Sequence, residues 1–96
     1  MLLDQLRQMN TRLNSIAAQY GATRLRVFGS VARGEETLDS DVDFLVELPR
    51  GYDLFTQRMA LAQGLGEVLH RQVDLIPEHE LNPHIRAQVL AEAVPL

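Results

Sequence analysis

The stretch FGSVARGEETLDSDVDFLVE, Phe28 to Glu47, places a Gly-Ser turn ahead of two aspartates one residue apart. Its last part reads as a strand: Val42, Phe44, Val46 and Leu48 share one face, and Asp41, Asp43 and Leu45 share the other, because side chains alternate along an extended chain. One core face is therefore expected. Two carboxylates ~4 Å apart repel by roughly 4 kcal/mol at an effective dielectric of ~20. A core strand gains nothing from such a pair, so a compensating cation is the natural explanation, and hard oxygen ligands of this kind suit Mg²⁺.

Working outward, RLRVF (Arg24 to Phe28) reads as a strand that Gly29 ends, and Ser30 to Arg33 fits a short helix. Gly34 to Ser40 is a polar, acidic loop. Upstream, Leu2, Leu6, Met9, Leu13, Ile16 and Tyr20 recur at helical spacing and predict one amphipathic helix ending near Gly21. Downstream, Pro49-Arg50-Gly51 breaks the chain, and Asp53 can cap a helix that carries Leu54, Phe55, Met59, Leu61, Ala62, Leu65, Val68 and Leu69 and is weakened by Gly64 and Gly66. Gln72 to Ile76 predicts a third strand, interrupted by Asp74 and stopped by Pro77. Asn82-Pro83 opens a last helix through Ile85, Val89, Leu90 and Ala93. The order α-β-α-β-α-β-α implies one α/β (α+β) domain over residues 1–96, a small mixed sheet with helices packed against it.

Composition narrows the function classes. The chain has 96 residues, 46% apolar and 23% charged, which is the globular average and argues against disorder. Cysteine is absent, so disulfides, thiolate nucleophiles and zinc–thiolate sites are excluded, and a reducing cytoplasm is the expected setting. All nine basic residues are Arg, which leaves no lysine for a Schiff base or a P-loop. A net charge of −4 with no basic cluster argues against direct nucleic-acid binding. No apolar run nears the ~20 residues that span a bilayer, and Asp4 interrupts the apolar start, so neither a membrane partner nor export is expected.

Two familiar motifs fail. Gly29 to Gly34 spells the first half of a Walker loop, but Glu35-Glu36 follow where Lys and Ser/Thr are required. Asp39 to Asp43 resembles the opening of a calcium loop, yet Phe44 and Arg50 stand where Gly and Glu are needed. What survives is local: a Gly that lets backbone approach a ligand, then a hydroxyl and free N–H groups at a helix start, which suit an anion. Asp74 reads either as an edge-strand charge or, if its strand lies beside that of Asp41 and Asp43, as a third carboxylate of a two-metal phosphoryl-transfer site. Arg33 has two readings, a phosphate contact or a tie of the turn to Glu35 or Asp39. His70, His79 and His84 show no ligand spacing and read as surface residues.

Gly29-Ser30, ten intervening positions and Asp41-x-Asp43 together resemble the signature of the DNA polymerase β-like nucleotidyltransferase superfamily. The fuller string GSVARGEETLDSDVDFLVE is similar to the minimal nucleotidyltransferase (MNT) group, as are VDLIPEHELNP and AEAVPL further on. The resemblance implies the polymerase β-like fold. It also implies the antitoxin of a HEPN/MNT toxin–antitoxin pair, transferring AMP from ATP to a tyrosine hydroxyl of the HEPN ribonuclease. By position, it implies that Asp41, Asp43 and Asp74 are catalytic and hold two Mg²⁺ ions, that Gly29 and Ser30 hold the β- and γ-phosphates, and that Arg33 belongs to the nucleotide site. A rival expectation is an antitoxin that neutralises by steric occlusion, with the apolar stripes of the terminal helices as interface. A more distant one is adenylylation of an aminoglycoside, against which the short chain argues.

Overall fold

The computed structural model describes residues 1–96. Its centre is a four-stranded mixed sheet in the order β3-β2-β1-β4, built from β1 (Thr23–Phe28), β2 (Val42–Glu47), β3 (Val73–Pro77) and β4 (Val94–Pro95). β1 runs antiparallel to both β2 and β4, whereas β2 and β3 are parallel. The helices are α1 (Leu2–Gln8), α2 (Asn10–Gln19), α3 (Gly29–Arg33), α4 (Ala60–Leu69) and α5 (Pro83–Glu92), with a π-helical segment at Leu54–Met59 and a 3₁₀ turn at Glu78–Glu80.

The alternation in β2 sets the layers. Val42, Phe44, Val46 and Leu48 enter a core shared with Leu6, Leu13 and Ala17 of α1 and α2, and with Leu61 and Leu65 of α4. The stripe of the N-terminal helices is thus core rather than free surface. Each such aliphatic side chain, fully buried, contributes roughly 1.5–3 kcal/mol. The opposite face is not left bare as the sequence predicts: Leu45 is fully buried with Phe28, Leu81 and Val89 in a second, smaller core. α5 covers that half of the face, and the half carrying the aspartates stays open.

Three further expectations change in detail. The N-terminal helix is interrupted at Met9, next to the poor helix formers Asn10 and Thr11, although its apolar stripe keeps one direction. The helix capped by Asp53 begins in π form, and its first apolar residues, Leu54, Phe55 and Met59, are exposed. The Asp53 carboxylate does accept from the N–H groups of Phe55 and Thr56, as an N-cap should. β4 was not expected, because two residues carry no periodicity; it docks on β1, and the Leu96 N–H donates to the Leu25 carbonyl at 3.0 Å.

On the second face, Arg26 of β1 is buried at 7% exposure and pairs with Glu78, which Arg86 of α5 also approaches. Arg26 Nε has no partner, so Glu78 is the main compensation for that charge. The hydrogen bond from Arg26 holds the Glu78 carboxyl below the usual carboxylate range. A depressed acid lends stability above its unfolded-state value, and that stability is lost as pH falls through the folded value. Glu78→Ala is therefore expected to lower stability by about 3 kcal/mol in urea titrations at neutral pH, by stranding a buried cation. The deficit should shrink on acidification below the carboxylate range; a deficit independent of pH would contradict the assignment.

Candidate active site

The site forms where β1 ends. Phe28 is the last extended residue, Gly29 turns the chain at φ +73° into α3, and Gly34 closes that helix at φ +71°. Phe28 pairs with Asp43, so the turn sits over the start of β2. A Cβ on Gly29 would lie 2.2 Å from Asp43 Oδ2, inside any permitted contact. Only a residue without a side chain lets this backbone rest against the carboxylate.

The returning loop is fastened at its end. Ser40 Oγ accepts from the Thr37 N–H at 2.8 Å, and Arg71 Nη1 donates to the carbonyls of Thr37 and Ser40 at 3.0 and 3.2 Å. Asp41 then stands exposed just before β2, two residues from Asp43. The parallel register pairs Asp43 with Asp74 of β3, so the strand of Asp74 does lie beside that of Asp43; β3 is also an edge strand and Asp74 is exposed, so the register is compatible with both readings of that residue. Paired strands are ~4.8 Å apart, so these two side chains leave the same face side by side.

Burial, then Asp74, then Asp41 push the Asp43 carboxyl above its usual range, with Arg33 opposing them. The direction records an uncompensated anion. No three of the chain's aspartate, glutamate and histidine side chains close around a metal-sized point, so the carboxylates form an open patch rather than a cage. That donor set fits Mg²⁺, which takes one or two carboxylates and completes its shell with water and substrate phosphate.

The sequence reading missed one member, Glu92, the last residue of α5. Its Oε1 accepts from the Gly29 N–H at 2.9 Å, and both its oxygens accept from Arg33 Nη1, at 3.2 and 3.0 Å. Arg33 Nε also donates to Glu35 at 3.2 Å, so the tie to Glu35 is present and that to Asp39 is not. Glu92 first, then Glu35, hold the guanidinium above its ordinary pKa. No spacing could have linked residues 29 and 92; the only signal was that AEAVPL belongs to the resemblance. The Ser30 hydroxyl lies at the same turn, half-buried. The histidines lie apart from one another: His70 ends α4 at φ +54°, His79 packs edge-on to Tyr52, and His84 opens α5. The largest groove, about 530 Å³ between α4 and β3, is lined by Met59, Gly66, Arg71 and Val73 among others and holds none of the three aspartates.

The geometry thus brings a Gly-Ser turn to rest on a carboxylate that is paired across parallel strands with another. The nucleotidyltransferase domain family matches residues 6–96. The chain belongs to that family. A candidate protein adenylyltransferase of Methanocaldococcus jannaschii, MJ0435, is 33% identical over 93% of this chain and 95% of its own length. A solved structure described as a candidate minimal nucleotidyltransferase superposes with a TM-score of 0.84 at 45% identity, covering 98% of this chain and 95% of that one. A toxin–antitoxin crystal structure with AMP-PNP shares the fold, at a TM-score of 0.72 and 24% identity over 84% of this chain and 66% of that one. The minimal nucleotidyltransferase fold expected from the sequence is thus the fold found, and no helix is long and apolar enough to cross a membrane.

Two outcomes test the nucleotidyltransferase turn. Gly29→Ala should cost more than the roughly 1–2 kcal/mol of a left-handed alanine, because it also displaces Asp43. Gly34→Ala, at φ +71° where the nearest atom is the end of the exposed, flexible Met1 side chain, supplies close to the backbone cost alone, so equal losses in urea titrations would refute the contact. Asp43→Asn should raise the melting temperature in metal-chelated buffer. A raised acid favours the folded state at low pH and loses that advantage as pH rises through its folded value, so the gain should be largest at neutral pH and fade in acid. A variant less stable than wild type at neutral pH would refute the repulsion.

Proposed function

We propose that this nucleotidyltransferase is the antitoxin of a toxin–antitoxin pair and transfers AMP from ATP to a tyrosine hydroxyl of a HEPN-family ribonuclease, silencing it. The observation that carries the reading is the position of Asp43, against the Gly29 backbone on one side and paired with Asp74 on the other. A triphosphate donor, a cation and an acceptor hydroxyl would all meet within reach of one carboxylate. The naming of MJ0435 as a candidate protein adenylyltransferase and the AMP-PNP held by a toxin–antitoxin complex of the same fold support it.

In this reading Asp41, Asp43 and Asp74 hold two Mg²⁺ ions, and Gly29 and Ser30 hold the β- and γ-phosphates, with Arg33 beside them. The ions, when bound, stabilise charge developing on the α-phosphate and on the departing pyrophosphate. Asp74, exposed at the edge of the sheet, would help activate the incoming tyrosine hydroxyl by accepting its proton. One bond forms between the tyrosine oxygen and the α-phosphorus, and one breaks between that phosphorus and the bridging oxygen, which leaves with pyrophosphate. The cytoplasm is the proposed setting, since ATP and a ribonuclease target are both found there.

A second reading, neutralisation by binding alone, is favoured by one observation: Leu54, Phe55 and Met59 are 45%, 72% and 52% exposed on one helical segment. One experiment separates the two. The partner toxin, co-expressed with wild type and with Asp41→Asn/Asp43→Asn, is weighed intact. A gain of whole AMP units with wild type alone is the expected result. No gain in either case, with a stable complex recovered, would overturn catalysis in favour of occlusion.

A further inference from the structure

Glu92 is held in place by the fold. α5 is capped at its start by Asn82, whose side chain accepts from the His84 N–H at 2.8 Å. Val89 anchors the helix in the second core, and β4 begins two residues after Glu92. The Glu92 side chain is only 20% exposed. An acid so placed, beside Asp43 and next to the turn proposed to bind phosphate, should hinder an anionic ligand by its charge. Its contacts offset that: Arg33 neutralises it, and the Gly29 N–H uses one of its lone pairs.

These contacts leave a defined set of donors unused. Arg33 spends Nη1 on Glu92 and Nε on Glu35, so Nη2 is without a protein partner, and so is the Ser30 hydroxyl. We infer that Glu92 is a positioning residue for nucleotide binding: one carboxylate fixes the Gly29–Ser30 turn and the Arg33 guanidinium as a unit, so that Ser30 and Arg33 Nη2 face the same anion. The inference rests on the proposed function. It goes beyond it by giving a role to a residue of the C-terminal helix that would touch neither nucleotide nor acceptor. Closing the second core and ordering the phosphate cradle become one event, because the same helix does both.

The test uses the full chain with ATP and Mg²⁺ as the probe, by calorimetric titration, alongside the Gly29 amide signal in the ligand-free protein. Glu92→Gln keeps an acceptor for the Gly29 N–H and loses the ion pair; Glu92→Ala loses both. Binding should weaken by about threefold in the first and more than about tenfold in the second, with exchange protection of the Gly29 amide retained in the first and lost in the second. Arg33→Ala/Glu92→Ala should bind no more weakly than the weaker of its two single variants, since the residues act as a unit. Tighter binding by Glu92→Gln would overturn the inference and make Glu92 an electrostatic obstacle, while additive losses would overturn the unit. No binding by wild type would overturn the proposed function itself, and the positioning role with it. Binding by wild type with unaltered affinity in both Glu92 variants would overturn the positioning role alone.

Discussion

The contact between the Gly29 backbone and the Asp43 carboxylate is the constraint on which the rest of the site depends. It requires a residue without Cβ at a positive φ where β1 ends, and a strand beside β1 that carries an aspartate opposite Phe28. The ten residues between Ser30 and Asp41 are then what it takes to form a one-turn helix, reverse it at Gly34 and return to the neighbouring strand. The spacing in the sequence is the contour length of that path. An insertion in the loop would leave α3 and β2 in place, but the Arg71 ties to Thr37 and Ser40 would have to be rebuilt.

One face of the sheet is divided between stability and chemistry. Along β2, Leu45 is buried beneath α5 while Asp43, two residues earlier, is only partly covered. The boundary falls at the end of α5, where Glu92 is the last helical residue. The Arg26–Glu78–Arg86 group lies on the covered half, where a buried cation needs its anion nearby. The opposite face carries none of this division and is filled with aliphatic and aromatic side chains from β1, β2 and β3 and from the helices α1 to α4. The cost of leaving the aspartates unpaired is therefore borne by the other layer.

Much of this was legible in the sequence, for reasons that differ by residue. The strand period of Val42, Phe44, Val46 and Leu48 is a property of consecutive residues, and so is the Asn82-Pro83 helix start; both read correctly. The π-helical opening at Leu54 did not, because its hydrogen-bond pattern has no local signature separate from that of an α-helix. Leu45 was assigned to a face with the aspartates and was not seen as core, since its burial comes from Leu81 and Val89, far along the chain. Glu92 was missed for the same reason. What pattern cannot supply is the pairing of distant segments: for Asp74 the sequence leaves it as a condition, and only the family resemblance points to the site.

The charge balance around the turn bears on the order in which the proposed ligands arrive. Asp41, Asp43, Asp74 and Glu92 face one guanidinium, that of Arg33, which Glu92 already engages. A triphosphate approaching alone would meet net repulsion from the aspartates; the same field adds to burial, the larger cause, in raising the pKa of Asp43. The chain has no lysine and no basic cluster with which to overcome it. In the proposed function, attraction would come instead with the cations proposed for the aspartates, and the nucleotide's affinity would depend on them more steeply than on Arg33 or Ser30. In the proposed function this arrangement leaves the protein's own contribution to binding largely geometric: it fixes where the donors stand, and Glu92 is the residue through which the fold fixes them.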